Sequence, residues 1–183
     1  MKRLQREALI LSLIENLLKN GSWCGETHIQ KSTYFLQELL RVPLGFEFIL
    51  YKYGPFSFDL SDELVSMQAD DIVLLKLRPP YGPSVQPGPM AERLKSLYPK
   101  TLKKYEKEVV FVAKELGGCT VGDLESIATA LYVIRHGSRK EDDLQKTASC
   151  IREIKPHISS EQAISALQRQ KEISDKASAL VGR

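Results

Sequence analysis

Apolar residues recur along most of this chain at the three-to-four-residue spacing of an amphipathic helix. Leu4–Lys19 places Leu9, Ile10, Leu13, Ile14, Leu17 and Leu18 on one broad stripe, and Asn20-Gly21 ends it, with Gly21 suited to the left-handed position after a helix. Trp23 is expected as a packed plug in the connection. A second helix, from about Glu26 to Arg41, turns Ile29, Leu36, Leu39 and Leu40 inward, with Tyr34 and Phe35 at its shoulders. The short connection predicts an antiparallel helical hairpin, closed by Pro43 and Gly45. Phe46–Tyr53 is dense in aromatic and branched residues and reads as a strand; Gly54-Pro55 predicts a turn. Ser57 or Asp59 then caps a helix through about Met67, with Leu60, Leu64 and Met67 on one face.

Ile72–Leu77 predicts another strand. Pro79–Pro89 is the one compositional break, either the tip and return strand of a β-hairpin or a linker held extended by its prolines. From Met90 the pattern is helical: Met90–Tyr98, Lys100–Leu116 after Pro99, then a helix through Arg135 opened by Thr120 and Asp123. His136-Gly137 ends it. Glu141–Ile154 and a last helix capped by Ser159 and Gln162 follow, the latter carrying Ala163, Ile164, Leu167 and Ile173. The tail from Asp175 is expected to fray. These elements predict a mostly helical α+β protein. Residues 1–89 form a winged-helix-like N-terminal half, packed on a C-terminal helical bundle over residues 90–183, or continuous with it in one domain. The winged-helix likeness is an analogy of element order and carries no function by itself.

Composition adds limits. The net charge of +3 implies no obligatory polyanion partner. Three scattered cysteines, Cys24, Cys119 and Cys150, form no disulfide framework and no Cys-x-x-Cys zinc pair, which points to a reducing, cytoplasmic setting. No apolar run approaches the ~18 residues of a membrane span, so neither signal peptide nor anchor is expected.

Chemistry-bearing residues are sparse. Cys24 and His28, at i and i+4, could make a thiol–imidazole pair or half a metal site, but Gly25 lies between them and no third ligand or orienting acid follows. Asp59, Asp62 and Glu63 complement the dipole at a helix start; His136 answers the opposite dipole, and His157 is a loop residue. The Phe58–Met67 helix carries no Lys or Arg, so it is ill suited to face a phosphate backbone. The basic residues sit elsewhere: Lys100, Lys103, Lys104, Lys107 and Lys114 along one helix side, and Arg135, Arg139 and Lys140 together. A lysine row opposite an apolar stripe (Leu102, Tyr105, Val109, Val112, Leu116) is more often simply a solvated face than a surface for phosphates or for an acidic partner. No nucleotide loop, catalytic triad order, cofactor motif or metal motif is present.

Two segments carry a family resemblance. Thr27–Leu36 resembles a "Leu-Gln-Lys-x-x-Tyr-x-Leu" helix, with Ile29 in the leucine's place. Phe48–Ser57 resembles a "Tyr/Trp-x-Tyr-Gly-Pro-x-Ser" turn. Both are motifs of the Panacea-domain proteins, which include SocA-like antitoxins and YwgA-like proteins; Glu125–Tyr132 is similar to a later helix of the YwgA-like branch. Gln30, Lys31, Tyr34, Tyr53, Gly54, Pro55 and Ser57 match motif positions. The resemblance implies a non-enzymatic interaction module that neutralises or accompanies a co-encoded toxin or defence effector, with no catalytic residues to carry over. The expected partner-binding residues are Lys31, Tyr34, Tyr51, Tyr53, Phe56 and Phe58, since tyrosine is common at interface hot spots. Gly54, Pro55 and Ser57 suit a fold-defining turn better than a site, and Gln30 either satisfies carbonyls of the neighbouring turn or faces a partner. A nucleic-acid-binding regulator using the Pro-rich hairpin and the lysine helix is the alternative, and a homodimer is left open.

Overall fold

The structure, a computed structural model, describes residues 1–79, 81–136, 144–156 and 158–182. The described residues are mostly helical, with two antiparallel two-stranded sheets, an α+β composition. They divide into two compact units: Met1–Phe48 with Ser57–Cys119, and Ile49–Phe56 with Thr120–Arg183.

The first unit is built around α2 (Glu26–Glu38), which packs against α1 (Arg3–Lys19), α3 (Phe58–Ala69) and α6 (Glu106–Leu116). Every residue from His28 to Leu36 is buried. Tyr34 and Phe35, expected at the shoulders, are therefore interior: the neighbouring helices enclose α2 on all sides instead of covering one stripe. The Tyr34 ring meets Phe48 edge to face at 5.0 Å. The helix stops at Glu38, short of Arg41. Leu40 N–H reaches Phe35 C=O, Val42 N–H reaches Leu36 C=O, and Arg41 takes the left-handed region at φ 60°. In α1, Ala8 and Leu11 join the expected stripe, while Leu18 is half-buried. Arg6 on α1 donates through Nε to Glu63 Oε1 of α3 at 2.8 Å, and its guanidinium lies 4.5 Å from the centre of the Phe46 ring.

β3 (Val73–Arg78) and β4 (Tyr81–Pro87) pair in register Val73↔Pro87 to Lys76↔Ser84. The Pro-rich stretch thus supplies a hairpin's return strand. At its foot, Gly88 passes so close to Asp71 that a Cβ on it would stand 2.3 Å from the Asp71 carbonyl oxygen. Trp23 Nε1 donates to the Gly82 carbonyl at 3.0 Å, and Val85 N–H donates to the Cys24 carbonyl at 2.9 Å. The short helices α4 (Ala91–Leu97) and α5 (Pro99–Lys104) lead into α6 in the same unit. The expected Lys100–Leu116 helix is broken at Tyr105, whose φ of −113° is not helical.

The second unit contains β1 (Ile49–Tyr51), β2 (Gly54–Phe56), α7 (Val121–His136), α8 (Leu144–Ile154) and α9 (Ser160–Val181). Its helices close over Ala130, Ala148, Ile151, Ala163, Ala166 and Leu167, where small side chains permit close approach. Thr120 Oγ1 accepts from Asp123 N–H and donates to its carboxylate. Ser159 and Gln162 form the reciprocal capping box. α9 continues to Val181 where fraying was expected from Asp175, because Ile173 and Ala177 extend its buried face. Glu141, the expected start of the eighth helix, lies outside the described residues, as do Gly137, Arg139, Lys140 and His157. No helix among the described residues is long and apolar enough to cross a membrane.

Candidate protein-interaction surface

The expected strand Phe46–Tyr53 survives only as Ile49–Tyr51, and the reason lies in a side chain. Gln37 Nε2 donates to the Phe46 carbonyl and Gln37 Oε1 accepts from Phe46 N–H, each at 2.8 Å. A primary amide offers one donor side and one acceptor side, so it satisfies an extended residue as a neighbouring strand would. Gln30 does the same two helical turns earlier: it donates to the Ser57 carbonyl at 2.9 Å and accepts from Ser57 N–H at 3.0 Å. α2 thus presents two amide clamps at i and i+7, each gripping one backbone residue of the first unit. Of the two roles open to Gln30, it performs the one directed at its own chain. Ser57 Oγ also accepts from Leu60 N–H and so caps α3.

The chain leaves the first unit between these clamps. The turn expected at Gly54-Pro55 falls at Lys52-Tyr53, because Tyr51 pairs with Gly54 and Leu50 with Pro55. A proline is tolerated in a two-stranded sheet that lacks a further partner needing its N–H, and Gly54 occupies φ 90°, which favours glycine. Gly54 and Pro55 are buried, whereas the turn is open: Tyr51 is 55% and Tyr53 53% exposed. The Tyr51 and Phe56 rings lie 5.9 Å apart, Phe56 being half-buried, and Lys52 Nζ stands 5.2 Å from the centre of the Tyr53 ring. Two phenol rings are thereby carried on a short backbone with little freedom.

The remaining site residues separate into interior and surface. Lys31 and Tyr34 are 2% and 0% exposed, so neither can anchor a partner at the surface; the enclosure of α2 takes them inside. Phe58, at the start of α3 in the first unit, is 55% exposed. Lys100, Lys103, Lys104 and Lys107 are exposed, now divided between α5 and α6, and Arg135 is half-buried at the end of α7. Arg139 and Lys140 lie outside the described residues.

The thiol–imidazole pair is held apart in function by its surroundings. Burial pushes the Cys24 thiol up to about 12, which keeps it protonated near neutrality, and its Sγ faces the Ile14 carbonyl. His28 is buried too; desolvation lowers its pKa, partly opposed by the hydrogen bond that Nε2 donates to the Cys119 carbonyl at 3.1 Å. Among the described residues, no three His, Cys, Asp or Glu side chains are grouped to hold a metal ion.

Gln37 is the site residue that sequence reasoning missed. Its signal is a second glutamine seven residues after Gln30, hence on the same face of a helix. No protein-family model matches this chain, and none of the curated proteins matches it.

Proposed function

We propose that this chain is a non-enzymatic protein-interaction module of the cytoplasm, an antitoxin or accessory subunit that binds a co-encoded toxin or defence effector. The observation that carries this reading is the pair of exposed tyrosines at the Lys52-Tyr53 turn, since exposed rings on a short, paired backbone are suited to interface anchoring. The likeness of Thr27–Leu36 and Phe48–Ser57 to the Panacea-domain motifs supports it. The test is co-expression with the product of the neighbouring reading frame, followed by pull-down with Tyr51→Ala and Tyr53→Ala combined. Loss of capture with a native circular dichroism spectrum is the expected result. Undiminished capture by the double variant would remove the reading.

A nucleic-acid-binding regulator is the second reading, favoured by the exposure of Lys100, Lys103, Lys104 and Lys107. It requires affinity that falls steeply with salt, because each neutralised phosphate releases counterions. Electrophoretic mobility shift across a salt series separates it from an apolar protein interface.

A further inference from the structure

The first unit holds a second surface that the tyrosine turn does not involve. β4 is bonded on one side to β3 and tied at Val85 to the Cys24 carbonyl, but β3 has no second strand beside it among the described residues. α3 covers part of the hairpin face and leaves an open groove of about 130 Å³. Its floor is buried and apolar: Leu64 from α3, Val73 from β3 and Val85 from β4. Its walls are apolar and wet, Val65 being 64% and Leu75 43% exposed. A β-branched or leucine side chain so exposed on both walls of one depression is unlike the single apolar residues scattered over ordinary surfaces.

Among the described residues that line this groove, the charged one is a carboxylate. Glu26 lines it, its carboxylate accepting from Ser61 Oγ at 2.7 Å, and Asp62 follows Ser61 on α3 in an exposed position. No lysine, arginine or histidine lines it. Lys76 follows Leu75 on β3 and so projects from the opposite face of the strand. An acidic partner segment would meet repulsion here, and a neutral apolar one would leave the carboxylates uncompensated. A sheet face left half covered by one helix is completed most simply by another helix, since helix on sheet is the common layer arrangement.

We infer that this groove docks an amphipathic helix of a partner protein, one whose apolar stripe is flanked by lysine or arginine. The leucines of that stripe fill the space between Val65 and Leu75, and its cations face Glu26 and Asp62. Affinity comes from the apolar walls, and selection against acidic helices comes from the carboxylates.

The test uses the full chain and two fluorescein-labelled synthetic peptides, each patterned as an amphipathic helix, one of leucine and lysine and one of leucine and glutamate. Anisotropy titration should show the lysine peptide binding and the glutamate peptide at least about tenfold weaker. Val65→Ser with Leu75→Ser, both at exposed positions, should weaken the lysine peptide about tenfold or more with an unchanged circular dichroism spectrum. Glu26→Gln with Asp62→Asn should narrow the gap between the two peptides. Tyr51→Ala with Tyr53→Ala should leave the lysine peptide's affinity unchanged, so failure of the tyrosine reading and failure of this one are separable. Equal binding of both peptides, undiminished binding by the serine double variant, or no binding of either at about millimolar concentration overturns the inference. Sedimentation showing that the chain self-associates through this groove, with the serine variant monomeric, would give the surface to a second copy and overturn it as well.

Discussion

The residues that flank β1–β2 and those at the foot of β3–β4 are held by different means, and the difference sets what each position tolerates. Beside β1–β2, the flanking residues Phe46 and Ser57 are gripped by side-chain amides of Gln37 and Gln30. At β3–β4, the foot is closed by backbone contact alone, Gly88 N–H donating to the Ile72 carbonyl at 2.8 Å beneath a space too small for a Cβ. A side-chain clamp of this kind requires a side chain that offers a donor and an acceptor together. A backbone approach of this kind admits one residue type. The lesson is that Phe46 and Ser57 depend on the donor and acceptor of particular side chains, while Gly88 depends on the absence of one.

The largest effect that would test this contrast is expected from Gln30→Ala. It leaves the buried Ser57 N–H without its partner, while the Ser57 carbonyl keeps Ser61 N–H at 3.2 Å, so the expected cost in urea unfolding is about 1–3 kcal/mol. Gln30→Glu keeps the acceptor for Ser57 N–H but buries a carboxylate against the Ser57 carbonyl, so it should be at least as damaging although the volume is nearly conserved. Stability retained by either variant would break the clamp model. Next comes Gly88→Ala, which forces the foot of β3–β4 apart and should cost about 1–3 kcal/mol, the range of overpacking. If it is neutral, the two hairpins are not held differently.

A smaller effect should appear with pH. Desolvation holds the His28 pKa below the ordinary imidazole value, so as pH falls the unfolded chain takes up its proton first. This contribution to stability is therefore complete above the unfolded value and is lost as pH falls through it. Urea midpoints measured downward from neutrality should decline, and His28→Gln should flatten the decline. The smallest change in stability belongs to Tyr51→Ala with Tyr53→Ala, within about 0.5 kcal/mol as for exposed sites. A much larger loss would mean the rings support the fold rather than a partner.

Three helix starts were well written in the sequence, because a capping side chain acts locally: Ser57, the Thr120–Asp123 pair and the Ser159–Gln162 box all stand where their spacing predicts. What failed to show were effects that depend on enclosure. Lys31 and Tyr34 were expected to meet a partner, yet both are buried along with Gln30, Ser32 and Thr33, since helical periodicity cannot distinguish one covered face from several. The strand from Phe46 was overestimated because its propensity was met by the Gln37 amide instead of another strand. β2 was hidden by its glycine and proline, residues that argue against a strand in isolation. Among the candidate surface residues, Tyr51, Tyr53 and Phe58 are exposed, while Lys31 and Tyr34 belong to the interior. The groove between Val65 and Leu75 had no sequence signature, because its walls come from separate elements and each wall contributes an ordinary aliphatic residue.

The path of the chain also sets an order of events during synthesis. Ile49–Phe56 belongs with Thr120–Arg183, and β2 lies against α7. A ribosome reading from the amino end therefore delivers the tyrosine turn well before the helices that shelter its Gly54-Pro55 side. Until α7 emerges, the nascent chain carries this loop as a guest inside the first unit's sequence, with its lasting companions still untranslated.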